Sequence, residues 1–180
     1  KNMVCNRCKY ILERDFKEAA ITVDSIELGE ICIPNPDIET IERIKRIMDS
    51  NGFELIQDES ELLVERIKSL LIAGLTANNF EGRNIYDFLS RNLNKEYSYL
   101  SKLFSRVEGY TIEKYVILLK IEKAKELIQM DMMSFSEIAY SLNYSNSSHL
   151  AKQFKSITGH SMGEYKKLQD WNRKPIDQIV

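Results

Sequence analysis

Shifting this chain against itself by 50 residues lays Ser98 on Ser148, Leu100 on Leu150, Lys102 on Lys152, Phe104 on Phe154, Gly109 on Gly159 and Tyr115 on Tyr165. Phe88 then falls over Ile138 and Leu89 over Ala139, so apolar positions coincide even where the residue differs. A repeat at one constant offset restricts the second half of the chain to a single structural unit built twice. Each copy reads as a short helix (Ile85 to Asn92; Ser136 to Leu142), a tight turn, a second helix (Glu96 to Val107; Asn146 to Ile157), a Gly stop and a third helix. Ser134 precedes Glu137 by three residues and Ser161 precedes Glu164 by three, the spacing of capping boxes. Between the copies Thr111 to Met130 reads as one long helix, with Ile112, Tyr115, Leu119, Ala124, Leu127 and Ile128 facing inward.

A short helix, a tight turn and a second helix is the geometry that lays a recognition helix in the major groove of DNA, its N-terminal residues on base edges. Two copies on one linking helix can enter two successive major grooves on one face, roughly 34 Å apart. The second helices carry residues suited to that task. Opposite their apolar positions stand Ser98, Tyr99 and Lys102 in one copy and Asn146, Ser147, Ser148, His149 and Lys152 in the other, with Lys155 a turn further on. Hydroxyls, an amide and an imidazole bond base edges, and a cation one turn later suits guanine or phosphate. Competing expectations are that Ser147 caps its helix and that Tyr99 lies on a neighbouring helix. The pair Tyr115 and Tyr165 is expected in the core.

The segment Lys120-Ile121-Glu122-Lys123-Ala124, followed by Ser136-Glu137-Ile138-Ala139-Tyr140-Ser141-Leu142, Ser148-His149-Leu150, Gln153-Phe154-Lys155 and Thr158-Gly159 to Glu164-Tyr165-Lys166, resembles the DNA-binding domain of the AraC family of transcriptional regulators. The likeness covers about residues 82–168. It implies two helix-turn-helix units on double-stranded DNA, with Ser98, Tyr99, Lys102, Ser147, Ser148, His149 and Lys152 facing bases. Asn143 stands where the family usually has Gly, and Met162 where it usually has Pro. Asn tolerates positive φ and Met is a fair helix former, so neither is expected to disturb the fold.

Residues 1–58 alternate helix-like and strand-like patterns in the order helix, strand, strand, helix, strand, which a first strand over Lys1 to Val4 completes to a ferredoxin-like βαββαβ unit. The expected fold class is therefore α+β, a small ferredoxin-like domain followed by an all-α domain with two helix-turn-helix units. A connector helix and linker over 59–80 separates it from the DNA-binding domain over 81–180. Cys5 and Cys8 lie three apart where the first strand meets the first helix, and a helix N-terminus favours the thiolate. This motif, with Gly52-Phe53 before the last strand, resembles the heavy-metal-associated domain of copper chaperones and metal-transporting ATPases. The likeness implies Cys5 and Cys8 as metal ligands and Met3 as a buried support for their loop. Val4 departs from the Thr or small residue usual there.

Both His lie in the other half, and Cys32, beside Ile31 and Ile33, reads as a small core residue. Two thiolates alone suit Cu(I) or another soft ion, whereas zinc wants about four ligands. The domain equally fits a dimerisation or partner module that holds no metal, in a homodimer joined through it or through the connector helix. A thiol redox sensor, a metallochaperone and a thiol-based alkyl-transfer repair protein are further alternatives, though the last wants more Cys than this chain has.

The chain carries 25 Lys+Arg against 27 Asp+Glu, a formal charge of -2 that on its face speaks against nucleic acid. The average hides a division: residues 1–58 hold 8 basic and 12 acidic side chains, residues 59–80 hold 2 and 3, and residues 81–180 hold 15 and 12. The repeat half is mildly basic and the first half acidic, as a DNA reader with a separate sensor would be. No apolar run approaches the roughly 20 residues that span a bilayer, so no membrane partner is expected. Three Cys, an odd number, point to a reducing cytoplasm rather than a secreted disulfide framework. The chain starts at Lys1 with no visible signal peptide. No Ser-His-Asp set, paired-carboxylate site or phosphate-cradling Gly loop stands out, and no enzyme is expected.

Overall fold

The computed structural model describes residues 1, 3, 5–56, 58–76, 85–168, 173 and 174. The chain divides into two units, Lys1–Leu70 and Leu71–Val180. No helix among the described residues is long and apolar enough to cross a membrane.

The first unit runs α1 (Asn6–Glu18), β1 (Ser25–Glu27), β2 (Glu30–Cys32) and α2 (Ile38–Ser50); α3 (Glu59–Thr76) begins in this unit and ends in the next. The strands form an antiparallel hairpin with Ile26 opposite Ile31, turned at Gly29, whose φ of 82° is a left-handed value natural to glycine. A Cβ there would also meet the Ser69 hydroxyl of α3 at 3.1 Å. Asp37 caps α2 by accepting from the Thr40 N–H at 2.8 Å. Met3, Leu12, Phe16, Ile21, Ile26, Ile44, Met48 and Phe53 form the buried core between α1, α2 and the hairpin.

This is less sheet than the sequence predicts. Lys1, Met3 and residues 53–56 form no strand, although the Lys1 amino group donates to the Glu54 carbonyl at 2.5 Å and so brings the two segments side by side. The β-branched run Ile21 to Leu28, which reads as the first strand after α1, is a strand only over Ser25–Glu27, because the Ile21 N–H closes the end of α1 on the Phe16 carbonyl at 2.8 Å. A full ferredoxin-like sheet is therefore not formed among the described residues. Cys32 is exposed rather than buried. Side chains alternate along a strand, so with Ile31 and Ile33 turned toward the core Cys32 points away.

The second unit is helical: α4 (Ile85–Leu93), α5 (Tyr97–Glu108), α6 (Ile112–Met130), α7 (Phe135–Ser141), α8 (Ser147–Thr158) and α9 (Met162–Lys167). The 50-residue offset survives in three dimensions. Helices α4 and α7, α5 and α8, and α6 and α9 start at equivalent positions, and Gly109 and Gly159 end α5 and α8 with φ of 78° and 79°. Phe104 packs at a tilt against Tyr115 with centroids 5.8 Å apart, and Phe154 stands edge-on to Tyr165 at 5.3 Å. Both tyrosines are buried, as expected. The capping boxes at Ser134 and Ser161 are both closed.

Helix α6 serves both copies with different faces. Its buried residues fall into two stripes, Ile112, Tyr115, Val116 and Leu119, then Ile121, Ala124, Lys125 and Ile128. Each has i, i+3, i+4, i+7 spacing, and the second repeats the first nine residues later, about half a turn around the axis at 3.6 residues per turn. Phe104 meets the first stripe at Tyr115, whereas Ile121, Ala124 and Ile128 join the core of α7, α8 and α9. Lys125 is tolerated because Glu122 binds its ammonium at 2.6 Å.

Phe154→Ala removes a fully buried ring and its contact with Tyr165. It is expected to cost about 3–5 kcal/mol, read as a lower urea midpoint, with Phe104→Ala of similar size in the other copy.

Candidate nucleic-acid interface

The residues before and along α5 and α8 decide what this unit presents to a partner. Leu100 and Phe104 in α5, and Leu150 and Phe154 in α8, are fully buried, which fixes the rotation of each helix. The opposite faces then carry Ser98, Tyr99 and Lys102 on α5 and Ser148, His149 and Lys152 on α8, all exposed. Lys155 is exposed further along α8. Among the described residues Lys102, Lys152 and Lys155 take part in no salt bridge, so their ammonium groups are available to an anionic partner.

Asn146 and Ser147 have other work. Asn146 is the N-cap of α8, its side-chain oxygen accepting from the His149 N–H at 2.9 Å. Ser147, which sequence alone offers as the cap, is instead the first helical residue and is half-buried. Tyr99 is open to solvent over part of its ring. It is 50% exposed, with the Lys95 ammonium 5.5 Å from its ring centroid.

Two supports around these faces have no strong signal in the sequence. In the first copy Tyr97 donates to Glu113 at 2.5 Å and stands edge-on to Tyr86 at 4.4 Å, tying the start of α5 to α6 and α4. Burial first, and then the bond to Glu113, push the Tyr97 phenol well above its usual range. In the second copy Tyr144, from the turn before α8, stands edge-on to His149 with centroids 5.4 Å apart and donates to Gln153 at 2.7 Å. Lys120 of α6 lies 5.0 Å from the Tyr144 centroid. Burial pushes the Tyr144 phenol up to about 12 and lowers the Lys120 ammonium. The only sequence hint was an aromatic residue in a turn otherwise made of Asn and Ser. Asn143 takes φ of 57°, the left-handed conformation expected of it, and Met162 opens α9 and is buried.

In the first unit the structure brings Cys5 and Cys8 together. Cys5 is the N-cap of α1 without a side-chain capping bond, and its Sγ lies 3.2 Å from that of half-buried Cys8. Partial burial raises the Cys5 thiol, but the Cys8 side chain, the Cys8 and Arg7 backbone N–H groups and the Arg7 charge outweigh it and leave it below the usual thiol value. Met3 is buried, in the core that Cys8 packs against. Among the described residues no group of three or more His, Cys, Asp or Glu comes together as a metal site, so the pair alone offers two sulfurs.

A family model described as a helix-turn-helix domain matches residues 89–168. Over 79 residues the chain is 28% identical to the Msm operon regulatory protein of Streptococcus mutans, covering 44% of this chain and 28% of that protein. Over 89 residues it is 29% identical to the uncharacterized HTH-type transcriptional regulator YtdP of Bacillus subtilis, covering 49% of this chain and 12% of that one. The chain thus spans under a third of the length of these relatives. No solved structure matches it. These matches support a helix-turn-helix domain over residues 89–168, similar to a segment of proteins named as regulators. The heavy-metal-associated likeness of the first unit draws no support from the family match, which begins at residue 89, or from the two-stranded sheet.

Capping and contact roles separate by stability. Asn146→Ala is expected to lower the unfolding free energy by about 1 kcal/mol, whereas Ser148→Ala and His149→Ala stay within about 0.5 kcal/mol, all measured by denaturant titration.

Proposed function

We propose that the chain is a sequence-specific transcriptional regulator that binds double-stranded DNA through α5 and α8, each in its own major groove. The observation that carries this reading is the recurrence of an exposed Ser and Lys, one turn apart, at matched positions of two helices whose other faces are buried. Packing accounts for matched apolar residues but not for matched polar ones. Ser98, Tyr99, Lys102, Ser148, His149 and Lys152 reach base edges, while Lys155 lies further along α8, where phosphates are contacted. Asn146 and Ser147 act at the helix N-terminus, where backbone N–H groups face a phosphate. Both relatives are named as regulators, which favours the same reading.

Selection of bound sequences from random DNA is expected to enrich two short blocks about one helical turn apart; retention of DNA without sequence preference defeats the proposal. Lys102→Ala and Lys152→Ala each weaken binding, and where the lost contact is to phosphate the slope of log affinity against log salt falls by about 1.

For the first unit, two sulfurs brought together at a helix N-terminus, with the Cys5 thiol below its usual value, suit either a soft ion or reversible thiol oxidation. We infer that a soft monovalent ion such as Cu(I) binds Cys5 and Cys8 and changes operator affinity by favouring one of two states of the protein. Titration of Cu(I) is expected to shift operator affinity in the native chain and not in Cys5→Ser. An unchanged affinity in both returns the unit to a dimerisation or partner role, with no ion.

A further inference from the structure

The two reading helices are identical at two exposed positions and differ at two between them, Tyr99 against His149 and Ser101 against Ala151. Ser98 and Lys102 recur as Ser148 and Lys152, whereas Tyr99 is answered by His149. The settings are alike: Leu100 and Leu150, and Phe104 and Phe154, are fully buried at the same places, and both helices stop at a left-handed Gly. Identical side chains held at identical rotations meet a groove in the same way and read the same bases.

The position of Tyr99 and His149 is held in each copy by the turn ahead of the helix. Lys95 sits over the Tyr99 ring at 5.5 Å in the first copy. In the second the Tyr144 ring stands at 89° to His149 and is itself fixed by its bond to Gln153 and by Lys120 over its face. An exposed ring would ordinarily keep its rotamer freedom, and two unlike turns that each restrain one mark this position as the presented group. The chemistries differ. Tyr99 offers an apolar ring edge suited to a thymine methyl, and His149 offers ring nitrogens suited to the N7 edge of a purine.

The unlike pairs nearest to it on these faces, Ser101 with Ala151 and Ser105 with Lys155, do not compete. Ser101 is half-buried, Ala151 has only a methyl group, and Ser105 and Lys155 lie beyond the N-terminal turns that reach bases.

Resting on the DNA-binding reading above, we propose that the operator consists of two half-sites that share the bases read by the Ser and Lys pair and differ at one base. That base is a thymine where Tyr99 reads and a purine where His149 reads. Lys95 and Tyr144 are positioning residues for those two rings.

The test is selection from random DNA with the full chain and with the exchanged variant Tyr99→His/His149→Tyr, each checked for native helix content by circular dichroism. The native chain is expected to enrich two blocks alike except at one base. The exchanged variant enriches blocks in which that base has changed places, and it binds the native operator about ten-fold or more weakly. Lys95→Ala relaxes preference at the Tyr99 base alone, and Tyr144→Leu at the His149 base alone, a readout that general destabilisation would not give. Two enriched but unrelated blocks, or an exchange that weakens all sequences equally, overturns the shared half-site while leaving sequence-specific DNA binding in place. No enrichment with the native chain overturns both.

Discussion

Everything in the second unit depends on how α6 is shared. A single 19-residue helix, about 28 Å long at 1.5 Å per residue, gives one face to the first copy and the opposite face to the second. The half-turn between its two apolar stripes holds the copies on different sides and separates them along the axis. Neither helix-turn-helix unit could close its core without it, since each supplies only two short helices and a third wall is needed. In the first copy that wall is the start of α6, with Tyr115 against Phe104. In the second it is α9, with Tyr165 against Phe154, together with the far end of α6.

The same arrangement explains what could be read from the chain. Periodicity placed α4, α5, α7 and α8 to within a residue or two, because each has one buried stripe, and side-chain caps at Ser134 and Asn146 fix the starts of α7 and α8. It described α6 less well: Val116, Ile121 and Lys125 are buried beyond the expected inward set, and Leu127 is only partly so. A helix with two stripes half a turn apart looks apolar on all sides when averaged along its length. The exposed faces of α5 and α8 were legible because burial of Leu100, Phe104, Leu150 and Phe154 leaves only one way for each helix to turn. Asn146 and Ser147 were harder, since Asn and Ser serve equally as cap and as contact, and only the bond to the His149 N–H decides between them. Tyr144, Gln153 and Lys120 meet through the fold rather than along one element, and no spacing announces them.

The first unit was legible in its helices and its hairpin but not in its sheet. Short β-branched runs such as Ile21 to Val23 satisfy a strand pattern and a helix-closing turn equally well, and the Ile21 N–H goes to the Phe16 carbonyl. Alternation placed Ile31 and Ile33 correctly, yet it also dictates that the residue between them faces outward, which the reading of Cys32 as a core residue overlooked. The Cys5 and Cys8 spacing, by contrast, carried its own geometry, because residues three apart at a helix start lie on one side of it.

The separate walls behind Phe104 and Phe154 have a consequence for how such a molecule can change. With Tyr115 behind one reading helix and Tyr165 behind the other, a substitution on the exposed face of α5 leaves the Phe154–Tyr165 contact behind α8 in place. Under the proposed function, the two halves of the DNA address can therefore be rewritten one at a time, each trial keeping half of the old grip while the new half is tried. A single symmetric pair of identical subunits has no such freedom, since every change there is made twice.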